Sequence, residues 1–165
     1  MRIDLYWEGP HSFEEALEMT EDRDKGFYQI YILHPVYGND TLVYIGRTNK
    51  AFGHRLDDPA HKWMGDHREN NSGRIRIHTG RIVRHEENPI SAPNALMEYA
   101  ESLLIFAHGP SWNGDHVKNR PRVPKDVDPD VRVLNWGQYG LLLPEVSNAR
   151  WSVRARDFLP AKTGP

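Results

Sequence analysis

The chain has 165 residues, of which 38% are hydrophobic and 27% are charged, a balance typical of a globular protein rather than a disordered one. It contains no cysteine, which excludes disulfides, thiolate metal sites and a cysteine nucleophile. Its formal net charge of -2 argues weakly against a nucleic-acid partner. The first residues lack the apolar run of a signal peptide and no stretch is apolar enough to span a membrane, so we expect a cytoplasmic protein.

The charges are unevenly distributed along the chain. Residues 1–25 hold eight acidic residues against three Lys or Arg, whereas residues 44–85 hold nine Lys or Arg and five His against four acidic residues. Residues 86–116 hold five acidic residues and no Lys or Arg, and residues 117–165 hold nine bases against five acids. A polyanion could bind the two basic segments while the acidic one holds a cation, although ordinary surface scatter explains the pattern equally well.

The first predicted elements are a short strand over residues 1–10 and a short helix. Ser12 followed by Glu15 forms a capping box, and the apolar residues after it have helical spacing. Two runs rich in β-branched and aromatic residues follow, at 26–32 and 42–46, with a cluster of turn-forming residues between them. We therefore expect a β-hairpin.

A third strand is predicted beside this hairpin. Two helices are predicted at residues 50–56 and 59–67, and residues 74–84 then alternate between polar and apolar side chains. The alternation directs Arg74, Arg76 and His78 toward solvent or toward a phosphate backbone. Together with the hairpin, this strand would complete a three-stranded antiparallel sheet.

Residues 93–108 have the apolar periodicity of a strong helix. Glu101 lies beside the apolar stripe, where a carboxylate is costly unless it is paired or binds a metal. Glu98 is the alternative metal ligand, because it lies three residues earlier on nearly the same face. Asp115 and His116 also have metal-ligating side chains, but a loop leaving the helix is the simpler interpretation.

Several of these residues occur in the order of a known signature. Gly-Phe-Tyr at 26–28 followed by Tyr-Ile-Gly at 44–46 resembles the paired triplets of the GIY-YIG nuclease family, with Phe in place of Ile. Arg55 stands where that family carries an Arg on its first helix. The segment from Glu101 through Leu-Ile, Pro and Trp to Asn113 resembles the closing motif of the family.

The resemblance covers residues 25–116 and implies an α/β domain of the α+β type. This compact domain would have a central three-stranded antiparallel sheet flanked by helices. Residues 1–24 would be an N-terminal extension, and residues 117–165 a C-terminal extension with short strands, packed on the domain. The aromatic and Arg residues of that last segment either pack on the domain or grip nucleic acid.

The implied activity is hydrolysis of DNA phosphodiester bonds by a metal-dependent endonuclease, with a single Mg²⁺ or Mn²⁺ on Glu101. Arg55 would stabilise the negative charge of the phosphorane. Tyr28 or Tyr44 would activate the attacking water, and the choice between the two stays open. Asn113 would fix the helix that carries Glu101. DNA is the implied partner, without a membrane, and both a monomer and a homodimer remain open.

The family also carries a His or Tyr one turn after the Arg, where this chain has Pro59. His61 is the first substitute for that catalytic residue and His54 the second. Substrate contacts are expected from five further residues, namely Gly46, Arg47, Lys50, Arg74 and Arg76. The alternative function is a non-catalytic nucleic-acid-binding or scaffold protein with the same fold, which the missing His and the modest net charge favour.

Overall fold

The computed structural model describes residues 1–58, 74–85, 94–119, 121–125, 127 and 130–148. In chain order the elements are β1 (Arg2–His11), α1 (Phe13–Leu17), β2 (Gly26–His34), β3 (Gly38–Thr48), α2 (Phe52–Leu56), β4 (Arg76–His85), α3 (Asn94–His108), β5 (Arg132–Gly137) and β6 (Glu145–Ser147). Among the described residues, no helix is both long enough and apolar enough to cross a membrane.

The six strands form one mixed sheet in the order β3-β2-β4-β1-β5-β6, curled into a half-barrel. β1 and β5 run parallel, and every other neighbouring pair is antiparallel. The prediction of a central three-stranded antiparallel sheet flanked by helices is therefore wrong. β4 does pair with the hairpin, but its other edge pairs with β1, and the sheet continues to β5 and β6.

The reason for the larger sheet lies in the burial of β1. Ile3, Leu5 and Trp7 alternate along this strand and are fully buried, so this face of β1 needs a covering layer. The backbone N–H and C=O groups buried with them need a strand on each side. β5 supplies the second neighbour, with Val133 beside Ile3 in the parallel pair. Segments that the family resemblance leaves out, at both ends of the chain, thus complete the sheet.

Two apolar clusters cover the two faces of the hairpin. Phe27 of β2 belongs to the cluster under α3, and Tyr28, the next residue, belongs to the cluster under α1 and α2. On β3, Ile45 belongs to the cluster under α3, and Tyr44 packs against the cluster under α1 and α2. We call these sides the α3 face and the α1–α2 face of the sheet.

Local predictions have mixed outcomes. The capping box of α1 is confirmed, since Glu15 N donates to Ser12 Oγ at 3.1 Å and Ser12 N donates to Glu15 Oε2 at 2.7 Å. The prediction for His78 is wrong, because this side chain is buried and its Nδ1 lies 2.7 Å from Gln138 O. The helix expected at residues 59–67 lies outside the described residues.

Candidate active site

Two tyrosines and an arginine meet on the α1–α2 face. Tyr28 of β2 lies opposite Gly46 of β3, and the Tyr28 and Tyr44 ring centroids are 5.8 Å apart. A Cβ on Gly46 would lie 2.6 Å from Tyr44 Cε1 and 2.8 Å from Tyr28 Oη, so only glycine leaves room for both rings. Arg55 of α2 interacts electrostatically with both phenols. These residues form the tyrosine–arginine cluster.

Two polar atoms of this cluster are buried without a conventional partner. Tyr28 is fully buried, and neither Tyr28 Oη nor Arg55 Nε makes a hydrogen bond of ordinary geometry with a described residue. Arg55 and Tyr44 nevertheless lie close enough to Tyr28 for poorly aligned hydrogen bonds that affect its pKa. An unsatisfied buried polar group costs about 1 to 3 kcal/mol. Such a group in a folded protein calls for an explanation, of which a catalytic role is one.

The charge states of the cluster follow from burial and from its neighbours. Burial raises the pKa of Tyr28 well above its ordinary value, and Arg55 only partly offsets that rise. Burial also raises the pKa of Tyr44, with the Glu101 carboxylate adding to the effect. Burial alone would lower the pKa of Arg55, but the two phenols and Asp58 outweigh it. At neutral pH both phenols are therefore protonated and Arg55 is charged.

Glu101 approaches the same edge strand from the α3 face. Arg47 Nε donates to Glu101 Oε2 at 3.0 Å, and Arg47 Nη2 donates to Glu98 Oε2 at 3.4 Å. Arg47 is the register partner of Phe27, so it belongs to the α3 face, whereas Tyr44 belongs to the other. The Glu101 carboxylate thus pairs with Arg47 at the edge strand β3, close enough to Tyr44 for its charge to raise the pKa of that phenol.

Glu101 is the more deeply placed of the two glutamates. Its side chain is 19% exposed, against 64% for Glu98. Burial raises the pKa of Glu101, and the positive charges of Arg47 and His116 only partly offset that rise. A divalent cation would stabilise the ionised form further, because it adds positive charge beside a carboxylate that is short of water.

The donor chemistry fits Mg²⁺ or Mn²⁺. Mg²⁺ keeps several waters and binds through one or two carboxylates plus substrate phosphates, and Glu101 with Glu98 one turn away supplies such carboxylates. Arg47 occupies one oxygen of each, so a cation would compete with the guanidinium. Within the described part of the chain, no group of three or more His, Asp or Glu could hold a metal alone. Water and phosphate would have to complete the coordination shell.

Asn113 hydrogen-bonds both backbone polar groups of one residue of β3. Its Oδ1 accepts from Ile45 N at 3.0 Å, and its Nδ2 donates to Ile45 O at 2.8 Å. The preceding residue continues the contact, since Trp112 N donates to Val43 O at 2.8 Å. The segment after α3 therefore covers the edge of β3 that faces away from β2, and Asn113 positions α3 relative to the hairpin.

The residues predicted to bind substrate differ in their surroundings. Gly46 lies beneath the two tyrosine rings, and Arg47 is engaged by the two glutamates. Lys50 and Arg74 are exposed, and Arg76 is half-buried on β4. Their binding of substrate stays a prediction.

The predicted catalytic histidine stays a prediction. His61, the first choice, lies outside the described residues, and His54, the second, is exposed on α2. Two residues that sequence reasoning missed lie beside the cluster instead. Thr79 of β4 is the register partner of Tyr28, and Asp58 Oδ2 lies 3.7 Å from Arg55 Nη1. Only Asp58 had a sequence signal, its position three residues after an Arg.

No family model matches the chain, and no curated protein or solved structure matches it either. Membership of the GIY-YIG family therefore stays a hypothesis, which is based on the resemblance of the two triplets and the closing motif. The geometry of the tyrosine–arginine cluster is the independent support for a function.

Proposed function

We propose that the chain is a divalent-metal-dependent endonuclease that hydrolyses DNA phosphodiester bonds at the tyrosine–arginine cluster. The observation that carries this proposal is the convergence of Tyr28, Tyr44 and Arg55, from three separate elements, around Gly46. A phosphate group would pair with the Arg55 guanidinium, whose side chain is 33% exposed beside the two phenols. The proposal depends on this site and not on the three-stranded fold that the resemblance implied.

Each residue of the cluster has a role that its environment supports. Arg55 stabilises the negative charge that develops on the non-bridging oxygens, because a guanidinium is permanently charged and offers aligned donors. Tyr44 is half-buried and orients the attacking water, a contact that the fully buried Tyr28 cannot make as readily. Tyr28 stays neutral, because its pKa is raised, and from its buried position it packs beside Tyr44 and Arg55 and helps to hold them in place.

Glu101 is the proposed metal ligand, with Glu98 as the alternative. Glu101 would hold Mg²⁺ or Mn²⁺ there, and the ion would supply Lewis-acid charge to the scissile phosphate and to the leaving 3′ oxygen. Arg47 keeps the Glu101 carboxylate oriented toward β3, and its positive charge favours the ionised form that a metal requires. Asn113 holds the backbone of β3 in register with α3.

The test is cleavage of plasmid, branched and single-stranded DNA with Mg²⁺ or Mn²⁺. We expect Arg55→Ala to lower the cleavage rate by about 10²- to 10³-fold, the usual cost of removing one donor to a developing anion. Glu101→Ala should be similarly impaired at every metal concentration. Arg23→Ala is the matched control, because this side chain is 78% exposed beside Glu21, and it should cleave at the rate of the natural chain. Circular dichroism and thermal unfolding verify that each variant is folded.

Two outcomes would change the assignment. Normal cleavage by Glu101→Ala together with loss in Glu98→Ala would move the metal ligand one turn along α3. The absence of cleavage by the natural chain with either metal would contradict the proposal. It would favour a non-catalytic nucleic-acid-binding or scaffold protein, a candidate supported by Arg47, which already neutralises both carboxylates. DNA binding in EDTA would then persist.

A further inference from the structure

A second surface with aromatic side chains lies on the other half of the sheet. Tyr6 of β1 and Trp136 of β5 are register partners in the parallel pair, and they are 48% and 49% exposed. Register partners on neighbouring strands point to the same side of the sheet, so both rings emerge on one surface. Two exposed rings on neighbouring strands make this surface unlike the single exposed apolar residues that are normal on any protein.

A hydrogen bond to Asp4 fixes the orientation of the Trp136 indole. Its Nε1 donates to Asp4 Oδ1 at 2.8 Å, and Arg2 Nε and Nη2 donate to the same oxygen at 3.1 and 2.7 Å. Asp4 is only 3% exposed, so one buried carboxylate orients an exposed indole and an exposed guanidinium together. Rings held in this way lose little conformational entropy when a ligand binds to them.

Arginines flank the two rings. Arg2 and Arg132 are register partners four residues before Tyr6 and Trp136, a distance of about 13 Å along the strands. Arg2 is ion-paired with Asp4, and Arg132 is exposed beside it, so this end of the two strands presents positive charge to solvent. Arg81 is the partner of Tyr6 on β4, where it forms an ion pair with Glu8.

A polar pocket adjoins the Tyr6 ring. It has a volume of about 470 Å³, and Glu8, His11 and Gln138 contribute polar side chains to its lining. A carboxylate, an imidazole and a carboxamide can hydrogen-bond the edges of a nucleobase. The surface therefore combines stacking rings, edge-recognising groups and flanking cations.

We infer that Tyr6 and Trp136 form a stacking platform for the unpaired bases of a DNA strand, with Arg2 and Arg132 contacting its phosphates. Unpaired bases expose the faces that stack on aromatic side chains, whereas a duplex hides them. Gly80 of β4 is the register partner of Phe27 and lies on the α3 face, so the next residue, Arg81, lies on the α1–α2 face. Arg81 is the register partner of Tyr6, so the platform and the tyrosine–arginine cluster share the α1–α2 face. The inference rests on the proposed function for its ligand and names single-stranded or branched DNA as the substrate class.

The test is fluorescence anisotropy with a labelled single strand of about 15 nucleotides and a duplex of the same length, both in EDTA. We expect Tyr6→Ala and Trp136→Ala each to weaken single-strand binding by about 5- to 100-fold, the usual loss for one stacked base, with little effect on the duplex. Trp136→Phe should retain most of the affinity because it keeps a ring. Tyr37→Ala is the matched control, since Tyr37 is 73% exposed in the hairpin turn, and it should bind normally.

The role of the arginines has its own readout. Arg132→Ala should reduce the slope of log affinity against log salt concentration by about 0.7, the value for one phosphate contact on a single strand. Lys118→Ala removes an exposed cation after α3 and should leave that slope unchanged. A slope that Arg132→Ala does not alter would remove the phosphate contact from the proposal.

Equal losses for the single strand and the duplex would overturn the platform, and so would aromatic variants that bind as well as Tyr37→Ala. A dimer in light scattering that Trp136→Ala dissociates, with DNA affinity unchanged, would assign the patch to a second copy of the chain.

The two proposals fail separately. A chain that binds single strands through Tyr6 and Trp136 but never cleaves DNA contradicts only the nuclease. If Arg55→Ala abolishes cleavage but neither Tyr6→Ala nor Trp136→Ala changes single-strand affinity, only the platform is contradicted.

Discussion

Strand β2 carries a buried phenol on each of its faces, and the two differ in their hydrogen bonds. On the α3 face, Tyr31 Oη donates to Gln29 Oε1 at 2.6 Å and accepts from Leu141 N at 2.9 Å. On the α1–α2 face, Tyr28 Oη has no such bond with a described residue. A fully paired phenol stabilises the fold, whereas an unpaired one has a cost that binding could repay. The contrast separates a structural tyrosine from a candidate functional one.

The paired phenol belongs to a wider set of contacts that fix the loop between β5 and β6. His78 Nδ1 lies 2.7 Å from Gln138 O, and Leu143 N donates to His108 Nε2 at 2.8 Å. Because Nε2 accepts, the proton of neutral His108 is on Nδ1, which donates to Leu104 O at 2.7 Å. Changes on this face should therefore affect stability, while changes in the tyrosine–arginine cluster should affect cleavage.

The largest stability effect is expected from Tyr31→Phe. This substitution leaves Gln29 Oε1 and Leu141 N without their partner, so the free energy of unfolding should fall by about 2 to 3 kcal/mol. Urea or thermal unfolding measures the change, and cleavage at 25 °C should stay normal. An unchanged unfolding midpoint would contradict the structural role of Tyr31.

Gly46→Ala should have the next largest effect on stability, and it should lower both the free energy of unfolding and the cleavage rate. The new Cβ would overlap Tyr44 Cε1 and the Tyr28 ring, so the rings must move at a cost of about 1 to 3 kcal/mol. Cleavage should be lost with them. Gly114→Ala is the control, because a Cβ there meets nothing within 4 Å, and it should match the natural chain.

The pH dependence of stability should reveal His108. Burial lowers the pKa of His108, with the Leu104 carbonyl partly offsetting the effect. The neutral form is the one that accepts from Leu143, so its stabilisation is complete above the unfolded pKa of about 6.5 and is lost as pH falls through the folded pKa. His108→Gln cannot titrate and should flatten this part of the stability profile. His54→Gln, on an exposed residue of α2, should leave the profile unchanged.

The smallest stability effect is expected from Tyr28→Phe, which removes a hydroxyl that has no conventional partner. The free energy of unfolding should rise or stay within about 0.5 kcal/mol of the natural value, while the cleavage rate falls. A loss of stability as large as that of Tyr31→Phe would show that Tyr28 Oη is satisfied and would remove the contrast between the two faces.

Local patterns predicted the parts of the fold that depend on near neighbours in the chain. The cap at Ser12, the hairpin and the helix of Glu101 need only a few residues each, because caps, turns and periodicity are short-range properties. The hairpin also brings Tyr28 over Gly46, since strand pairing across a turn sets which residues face each other. Alternation along the strand indicated that Tyr44 shares this face with Gly46.

The sequence by itself determined these local elements and their apolar faces, and the family resemblance grouped Tyr28, Tyr44 and Arg55 as one site. Only the tertiary structure decided that β1 pairs with β5, where Trp7 and Gly137 are register partners across most of the chain. It also decided that Arg47 binds Glu101, because α3 packs on the α3 face of the hairpin. A strand pattern states that a face must be buried, but the partner that buries it is chosen by the packing of the whole chain.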